Sequence, residues 1–411
     1  MASQTFDQLI NKAMKDWEAP NMMDAAHAPR GGKLPFTSPL VNWATYNGIP
    51  RNKITEFFGA PGAGKSVSAI DVCKNAYKIF EAEYEQEVEN LRQLANKDPK
   101  KYRGPLEDLQ ERGIKKILYI DLEHSFDLEW SKTLGVEEDQ IHIMTPPDRP
   151  AEEELQLVQE LIETGELGLV VLDSIPSLVT KAELEKRFGE RTVSSLAGLL
   201  TIFFRKIVPL LTRYECTLLI INQIRDNMDN PYTVNTPGGQ SLKFYCSLRI
   251  EFKLGNPVDF LGNELPKSSE NPAGYKVNAK IVKQKSAPFD RKAGSYYLMV
   301  DRGIVPMFDY AGLAINSYSL IIKSGGWFRI CDPVTGEVLE EDGKEVKIQG
   351  LASVYEYIQS HPDYYAKLKE YIEADINGRE PNYEGLIDLQ EVDQLDEDTE
   401  EVPDSEEVGD E

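Results

Sequence analysis

Gly59-Ala60-Pro61-Gly62-Ala63-Gly64-Lys65-Ser66 matches G-x-x-x-x-G-K-[ST] at every fixed position. Residues of these types at this spacing can hold phosphate. The glycines let backbone N–H groups turn inward onto phosphate oxygens, and a following helix adds the positive end of its dipole. Lys65 is long enough to reach β- and γ-phosphates, and the Ser66 hydroxyl can ligate Mg²⁺. Such a cradle needs a strand before it and a helix after it. Residues 54–58 read as a short buried strand, and 67–80 carry apolar residues at helical spacing. The implied ligand is a nucleoside triphosphate. A glycine-rich turn with a chance Lys-Ser is the weaker alternative.

Three further stretches end in side chains that could act on that phosphate. Residues 117–124 run I-L-Y-I-D-L-E-H and deliver Glu123; residues 168–174 are apolar until Asp173; Thr217–Gln223 ends in Gln223. Continuous apolar runs separated by helical segments predict parallel strands covered on both faces. In open α/β sheets the ligand lies beyond the carboxyl ends of the strands. Each polar end taken singly is ordinary, whereas three of them beside a phosphate loop predict a site.

The 411 residues allow two or three domains with a sizeable core. No run of about 18 apolar residues occurs, so no membrane span is expected. Residues 1–16 are too polar for the apolar centre of a signal peptide. Cys73, Cys216, Cys246 and Cys331 form no C-x-x-C pair and read as reduced, buried small hydrophobes, which suits a reducing cytoplasm. The formal charge of −24 is unevenly placed: residues 391–411 hold twelve Asp/Glu and no Lys/Arg, half of the total. That block reads as a solvated, disordered acidic tail able to compete electrostatically for basic surfaces. Net charge therefore does not exclude a nucleic-acid partner.

Residues 5–17 place Phe6, Leu9, Ile10, Ala13, Met14 and Trp17 on one face of a leading helix. Packing on its own domain and packing on a neighbouring subunit suit it equally. Residues 77–113 carry a narrow apolar stripe among Glu, Lys and Gln, predicting a protruding helix or helical hairpin that turns near Asp98-Pro99 and Gly104-Pro105. Residues 248–252, 276–283 and 296–300 alternate and are expected to extend the sheet with antiparallel strands. Beyond Arg302, short strand-like pieces around 326–329 precede helical segments at 352–360 and 362–377, a small α/β C-terminal domain. The expected organisation is 1–33 leading helix and linker, 34–301 nucleotide-binding core with its insertion at 77–113, 302–390 C-terminal domain and 391–411 acidic tail.

The phosphate loop, I-D-L-E-H-S-F-D, V-V-L-D-S, I-N-Q-I-R and P-G-G-Q-S-L-K-F-Y occur here in one order. That ordered series resembles the RecA family of homologous-recombination ATPases, over residues 37–376. The long 77–113 segment and altered loops point to a divergent member, such as a phage-encoded recombinase of the UvsX type. The resemblance implies an α/β fold: a RecA-type P-loop ATPase core with a mostly parallel sheet covered by helices. It also assigns roles. Glu123 resembles the catalytic glutamate that orients the attacking water, and Asp173 the carboxylate of the Mg²⁺ shell. Gln223 resembles the γ-phosphate sensor. Asp127 and Trp130 stand where the family contacts and stacks on adenine, although core packing accounts for Trp130 as well.

Lys283 and Lys285, in I-V-K-Q-K-S-A-P-F, match family lysines that reach a neighbour's triphosphate across a filament interface, and Lys243 and Phe244 match residues of that interface. Lysines two apart on one strand share a face and can approach one anion; the bland reading is a pair of solvated strand lysines. DNA contact is expected from residues 186–194, with Arg187 and Arg191, from Arg205 on the following helix, and from 225–239, with Arg225, Gly238 and Gly239. Met228 stands where an inserting aromatic is expected, and Gly198 where the bacterial protein has an arginine. Tyr232 and Phe188 could supply stacking.

The implied activity is ATP hydrolysis with Mg²⁺, dependent on single-stranded DNA, in a helical filament that pairs with homologous duplex DNA and exchanges strands in recombination and repair. Implied partners are further copies of the chain, a single-strand binding protein and a loading mediator. The implied location is the cytoplasm, the host's if the chain is phage-encoded. A RecA-like ring helicase or packaging motor is the alternative, and Lys283 with Lys285 argues against it because ring motors more often place an arginine there. A non-catalytic recombination mediator is disfavoured by Glu123, and a small-molecule kinase by the lack of a lid.

Overall fold

A computed structural model describes residues 12, 31–146, 149–187, 196–224, 236–341, 343–383 and 386. The chain divides into two units, Met1–Gly32 and Lys33–Glu411. Of the first, only helical Lys12, Gly31 and Gly32 are described, so the leading helix expected at 5–17 otherwise lies outside the described residues. So do residues 391–411.

In the second unit the chain begins with a two-residue ladder, β1 (Lys33–Leu34) and β2 (Ile49–Pro50), around α1 (Pro39–Thr45). Then come β3 (Ile54–Gly59), α2 (Lys65–Lys97), α3 (Pro99–Arg112), β4 (Lys116–Asp121), α4 (Leu128–Thr133), β5 (His142–Met144) and α5 (Ala151–Glu163). They are followed by β6 (Leu167–Asp173), α6 (Lys181–Leu184), α7 (Leu196–Arg213), β7 (Thr217–Gln223), α8 (Gly239–Tyr245), β8 (Leu248–Val258), β9 (Gly274–Gln284), β10 (Ala293–Met299) and β11 (Gly303–Ile304). One nine-stranded sheet runs β11-β10-β9-β8-β3-β7-β6-β4-β5.

Alternation builds both faces of this sheet. Leu169, Val171, Leu219 and Ile221 join one core cluster with Ala69, Ile70, Cys73 and Phe80 of α2. Their neighbours Val170, Leu172, Leu218 and Ile220 join a second with Leu155, Val158 and Ile162 of α5 and Phe204, Ile207 and Leu211 of α7. Successive strand residues point to opposite faces, so a central strand covered by helices on both sides must be apolar at every position. The polar groups Glu123, Asp173 and Gln223 fall at or just past the carboxyl ends of β4, β6 and β7, beside the loop that leaves β3. All four cysteines are free and buried.

Two expectations need correction. Residues 248–252 are antiparallel on one side only: β8 pairs β3 in parallel, Thr55 opposite Leu248 through Gly59 opposite Phe252, and pairs β9 antiparallel on its other side, from Leu248 opposite Gln284. Its register with β3 is set after α8, a crossover helix that returns the chain in the same direction. Within 77–113 the chain turns at Asp98, and α3 passes unbroken through Gly104-Pro105. Pro105 forgoes one helical hydrogen bond, while the helix, with Leu109 buried and Tyr102 and Leu106 half-buried, packs against α2.

The C-terminal part comprises α9 (Met307–Asn316), β12 (Ile321–Ser324), β13 (Trp327–Ile330), the ladder of β14 (Glu340–Glu341) with β15 (Lys344–Glu345), β16 (Lys347–Gln349), α10 (Leu351–Ser360) and α11 (Pro362–Asn377). Its cluster takes in Tyr297 and Met299 of β10 and Val258 of β8, so it is built onto the sheet's antiparallel edge.

Candidate active site

The loop after β3 is shaped by its glycines. A side chain at Gly59 would meet the Phe252 carbonyl oxygen at 2.3 Å, because β8 runs directly alongside. Gly64 caps α2 at φ 89°, a left-handed conformation. The Ser68 hydroxyl donates to the Gly64 carbonyl at 2.8 Å and shares a 2.8 Å bond with the Tyr296 hydroxyl, fixing the first turn of α2. Lys65, 8% exposed, curls back so that Nζ donates to the Ala60 carbonyl at 2.8 Å. Burial lowers its pKa, against the attraction of Asp173 and Glu123.

Ser66 Oγ donates to Asp173 Oδ2 at 2.7 Å, and the Tyr119 hydroxyl donates to the same oxygen at 2.5 Å. Asp121 lies opposite Asp173 in the β4–β6 register. Its Oδ2 accepts from the Phe126 amide at 2.8 Å and its buried Oδ1 has no partner. Burial raises the pKa of Asp173, Glu123 and Asp121 add to the rise, and the Tyr119 and Ser66 hydrogen bonds oppose it. A hydroxyl, an aspartate held above its ordinary pKa and an orphaned carboxylate oxygen fit a hard divalent cation. Among the described residues no group of three or more His, Cys, Asp or Glu could hold a metal alone.

Exposed Glu123, two residues past β4, accepts at Oε1 from Ser174 Oγ and, at 2.8 Å, from Gln223 Nε2. Gln223 pairs in parallel with Gly59, which sets the polar tip of β7 beside the start of the phosphate loop. One corner thus gathers an ammonium, a hydroxyl, two aspartates and a glutamate whose carboxylate is aimed by two neighbours.

The RecA N-terminal domain family matches residues 106–305. Protein RecA of Aquifex aeolicus is 30% identical over 335 residues, covering 80% of this chain and 80% of its own. Protein RecA of Rhodopirellula baltica is 30% identical over 363 residues, covering 85% and 81%. The chain belongs to the RecA family. Among solved structures, the RadB recombinase covers 66% of this chain and 98% of its own at 16% identity and a TM-score of 0.42. That likeness is too loose to carry the assignment, which rests on the RecA sequences.

The RecA family comprises ATPases that work with Mg²⁺, and the corner described above has the groups such chemistry uses. Tyr119 and Ser174 are functional candidates that sequence reasoning missed. The signal for Tyr119 was a lone hydroxyl inside an aliphatic strand, and for Ser174 its place directly after Asp173. The other expected residues are dispersed. Lys283 Nζ donates to the carbonyls of Lys243 and, at 3.0 Å, of Phe244; Lys285 Nζ donates to Phe244 O at 3.0 Å and sits 5.1 Å from that ring's centroid. The two lysines do share a face, and both cap the negative end of α8. Burial, then the proximity of Lys285, lowers the pKa of Lys283. Phe244 is 69% exposed.

Asp127 caps α4, accepting from the Trp130 amide at 3.0 Å, and half-buried Trp130 packs on the first core cluster. Arg187 and Arg205 are exposed, and Gly238 and Gly239 open α8 at φ 95° and 73°. Arg191 and Arg225 lie outside the described residues, as do 188–195 and 225–235. No helix among the described residues is long and apolar enough to cross a membrane.

Proposed function

We propose that this RecA-family chain is a DNA-dependent ATPase that polymerises as a helical filament on single-stranded DNA and promotes pairing and strand exchange with homologous duplex. The observation that carries the reading is the hydrogen bond from Gln223 Nε2 to Glu123 Oε1 at 2.8 Å. It ties the carboxylate best placed to orient water to the last residue of β7, just before the segment that resembles a DNA-binding loop.

In this reading the backbone of residues 59–66 and Lys65 hold the β- and γ-phosphates, with Ser66 and Asp173 completing the Mg²⁺ shell. Mg²⁺, when bound, supplies charge neutralisation at the phosphate oxygens. Glu123 orients the attacking water and accepts its proton; Gln223 and Ser174 hold the carboxylate in line. Asp127 and Trp130 flank the base. Lys283 and Lys285 leave the carbonyl end of α8 for the neighbouring copy's triphosphate when Lys243 and Phe244 enter the interface, so turnover depends on polymerisation. Arg187, Arg191, Arg205, Arg225, Gly238 and Gly239 contact the DNA backbone.

The test is ATP hydrolysis with and without single-stranded DNA, the same samples being viewed by negative-stain electron microscopy. Strong stimulation with helical filaments is expected. Closed rings would favour a motor, and turnover indifferent to DNA a mediator.

A further inference from the structure

Glu56 is a carboxylate in the middle of β3, fully buried. Arg249, opposite it on β8 and 8% exposed, donates from Nε to its Oε2. On the other side, Asn222 of β7 donates from Nδ2 to Glu56 Oε1 and to the Pro237 carbonyl, both at 2.9 Å, while its Oδ1 accepts from the Gln223 amide at 3.0 Å. Arg249 also reaches Thr236 Oγ1 at 3.5 Å, and its guanidinium lies 4.7 Å from the ring of Phe58, the residue before Gly59. Three adjacent strands thus contribute one polar group each, on one face of the sheet.

Stability gives no account of this trio. Burying an ion pair costs about as much as the pair returns, and packed apolar side chains of similar volume often serve as well or better. What the trio does hold is specific. Asn222 has every polar atom engaged, and its bonds join Gln223, where the chain leaves the sheet, to Pro237, where it comes back. Arg249 adds Thr236 to the same knot. The other end of Gln223 is bonded to Glu123. A continuous path runs from Glu123 through Gln223 and Asn222 to Pro237, with Glu56 anchoring it to the strand that carries the phosphate loop.

We propose that Glu56, Asn222 and Arg249 are positioning residues that couple nucleotide state at the P-loop to both anchors of the chain between Gln223 and Thr236. The inference rests on the reading of that stretch as DNA-contacting. When Gln223 shifts with the nucleotide, Asn222 carries the shift to Pro237, and the Glu56–Arg249 pair supplies the fixed point against which it moves.

Asn222→Leu tests this, since it unties Pro237 and leaves the ion pair intact. Thermal unfolding, turnover with and without oligo-dT, and oligo-dT affinity with and without a non-hydrolysable ATP analogue are measured beside the wild type. Unstimulated turnover within about twofold of wild type is expected, with DNA stimulation and analogue-dependent affinity both reduced roughly tenfold. Nucleotide-free affinity should not move. A folded Asn222→Leu protein with full stimulation and unchanged analogue-dependent affinity overturns the coupling while leaving the DNA reading in place. A wild type indifferent to oligo-dT overturns the DNA reading itself and the coupling with it. Should Asn222→Leu not fold, Glu56→Leu combined with Arg249→Met replaces the pair by apolar packing and is read the same way.

Discussion

Glu123 is exposed, while its carboxylate is aimed by Ser174 and Gln223. Glu123→Gln keeps the shape and loses the base. It should still bind ATP, with turnover lowered roughly 10²- to 10⁴-fold; steady-state hydrolysis near wild type would remove Glu123 from the chemistry. Asp173 gives a pH prediction. Its folded pKa is raised, chiefly by burial, so the folded protein holds this proton more tightly than the unfolded chain. Its contribution to the stability of the nucleotide-free protein therefore falls as pH rises from the ordinary aspartate range through the raised value. Mg²⁺ needs the carboxylate ionised, so Mg²⁺-dependent stabilisation should grow over the same window and release a proton. Calorimetric scans with and without Mg²⁺–ATP would show the two trends diverging; parallel trends would exclude Asp173 as the responsible group. Glu123, Asp173 and Gln223 were legible as polar ends of apolar runs. Tyr119 was not, because its role depends on β6 lying beside β4, which alternation within one strand cannot reveal.

The helix α2 serves two purposes along its length. Its first half carries the phosphate loop and covers the sheet, ending at Phe80, which is 2% exposed. Arg51 lies 5.4 Å from that ring and pairs with Glu83, marking where the helix leaves the core. Beyond it, Leu91 is half-buried, supported by the hairpin partner α3. Phe80→Ala should cost about 3–5 kcal/mol, and Leu91→Ala under about 1 kcal/mol, compared by urea denaturation. Equal costs would mean that the hairpin is part of the core. Sequence periodicity foresaw the hairpin and its turn at Asp98, but also a break at Gly104-Pro105. Local propensity favoured that break, and packing of α3 on α2 overrode it. The same limit explains β8. A strand's direction is a property of its neighbour, and an alternating pattern reads alike in parallel and antiparallel pairs.

At the scale of the whole molecule, assembly draws on groups that a single chain already engages internally. Lys283 and Lys285 cap α8 of their own chain, so the trans role needs them to exchange one set of oxygens for another. Lys283→Ala should abolish DNA-stimulated turnover and spare ATP binding to the monomer; normal stimulated hydrolysis would sink the trans role. Removing residues 391–411 takes away half of the formal charge of −24. It should strengthen duplex binding at low salt, by an amount that fades as ionic strength rises; a difference that persists at high salt would point away from electrostatics. The linear chain by itself determined the phosphate loop, the buried parallel strands and the family, because these depend on contiguous residues whose spacing matches a local period. Tertiary structure alone decided the rest: that Tyr119 and Ser66 share one oxygen of Asp173, that Gln223 touches Glu123, and that Glu56, Asn222 and Arg249 meet. Those contacts join residues far apart in sequence, and only strand order and register bring them within hydrogen-bonding distance.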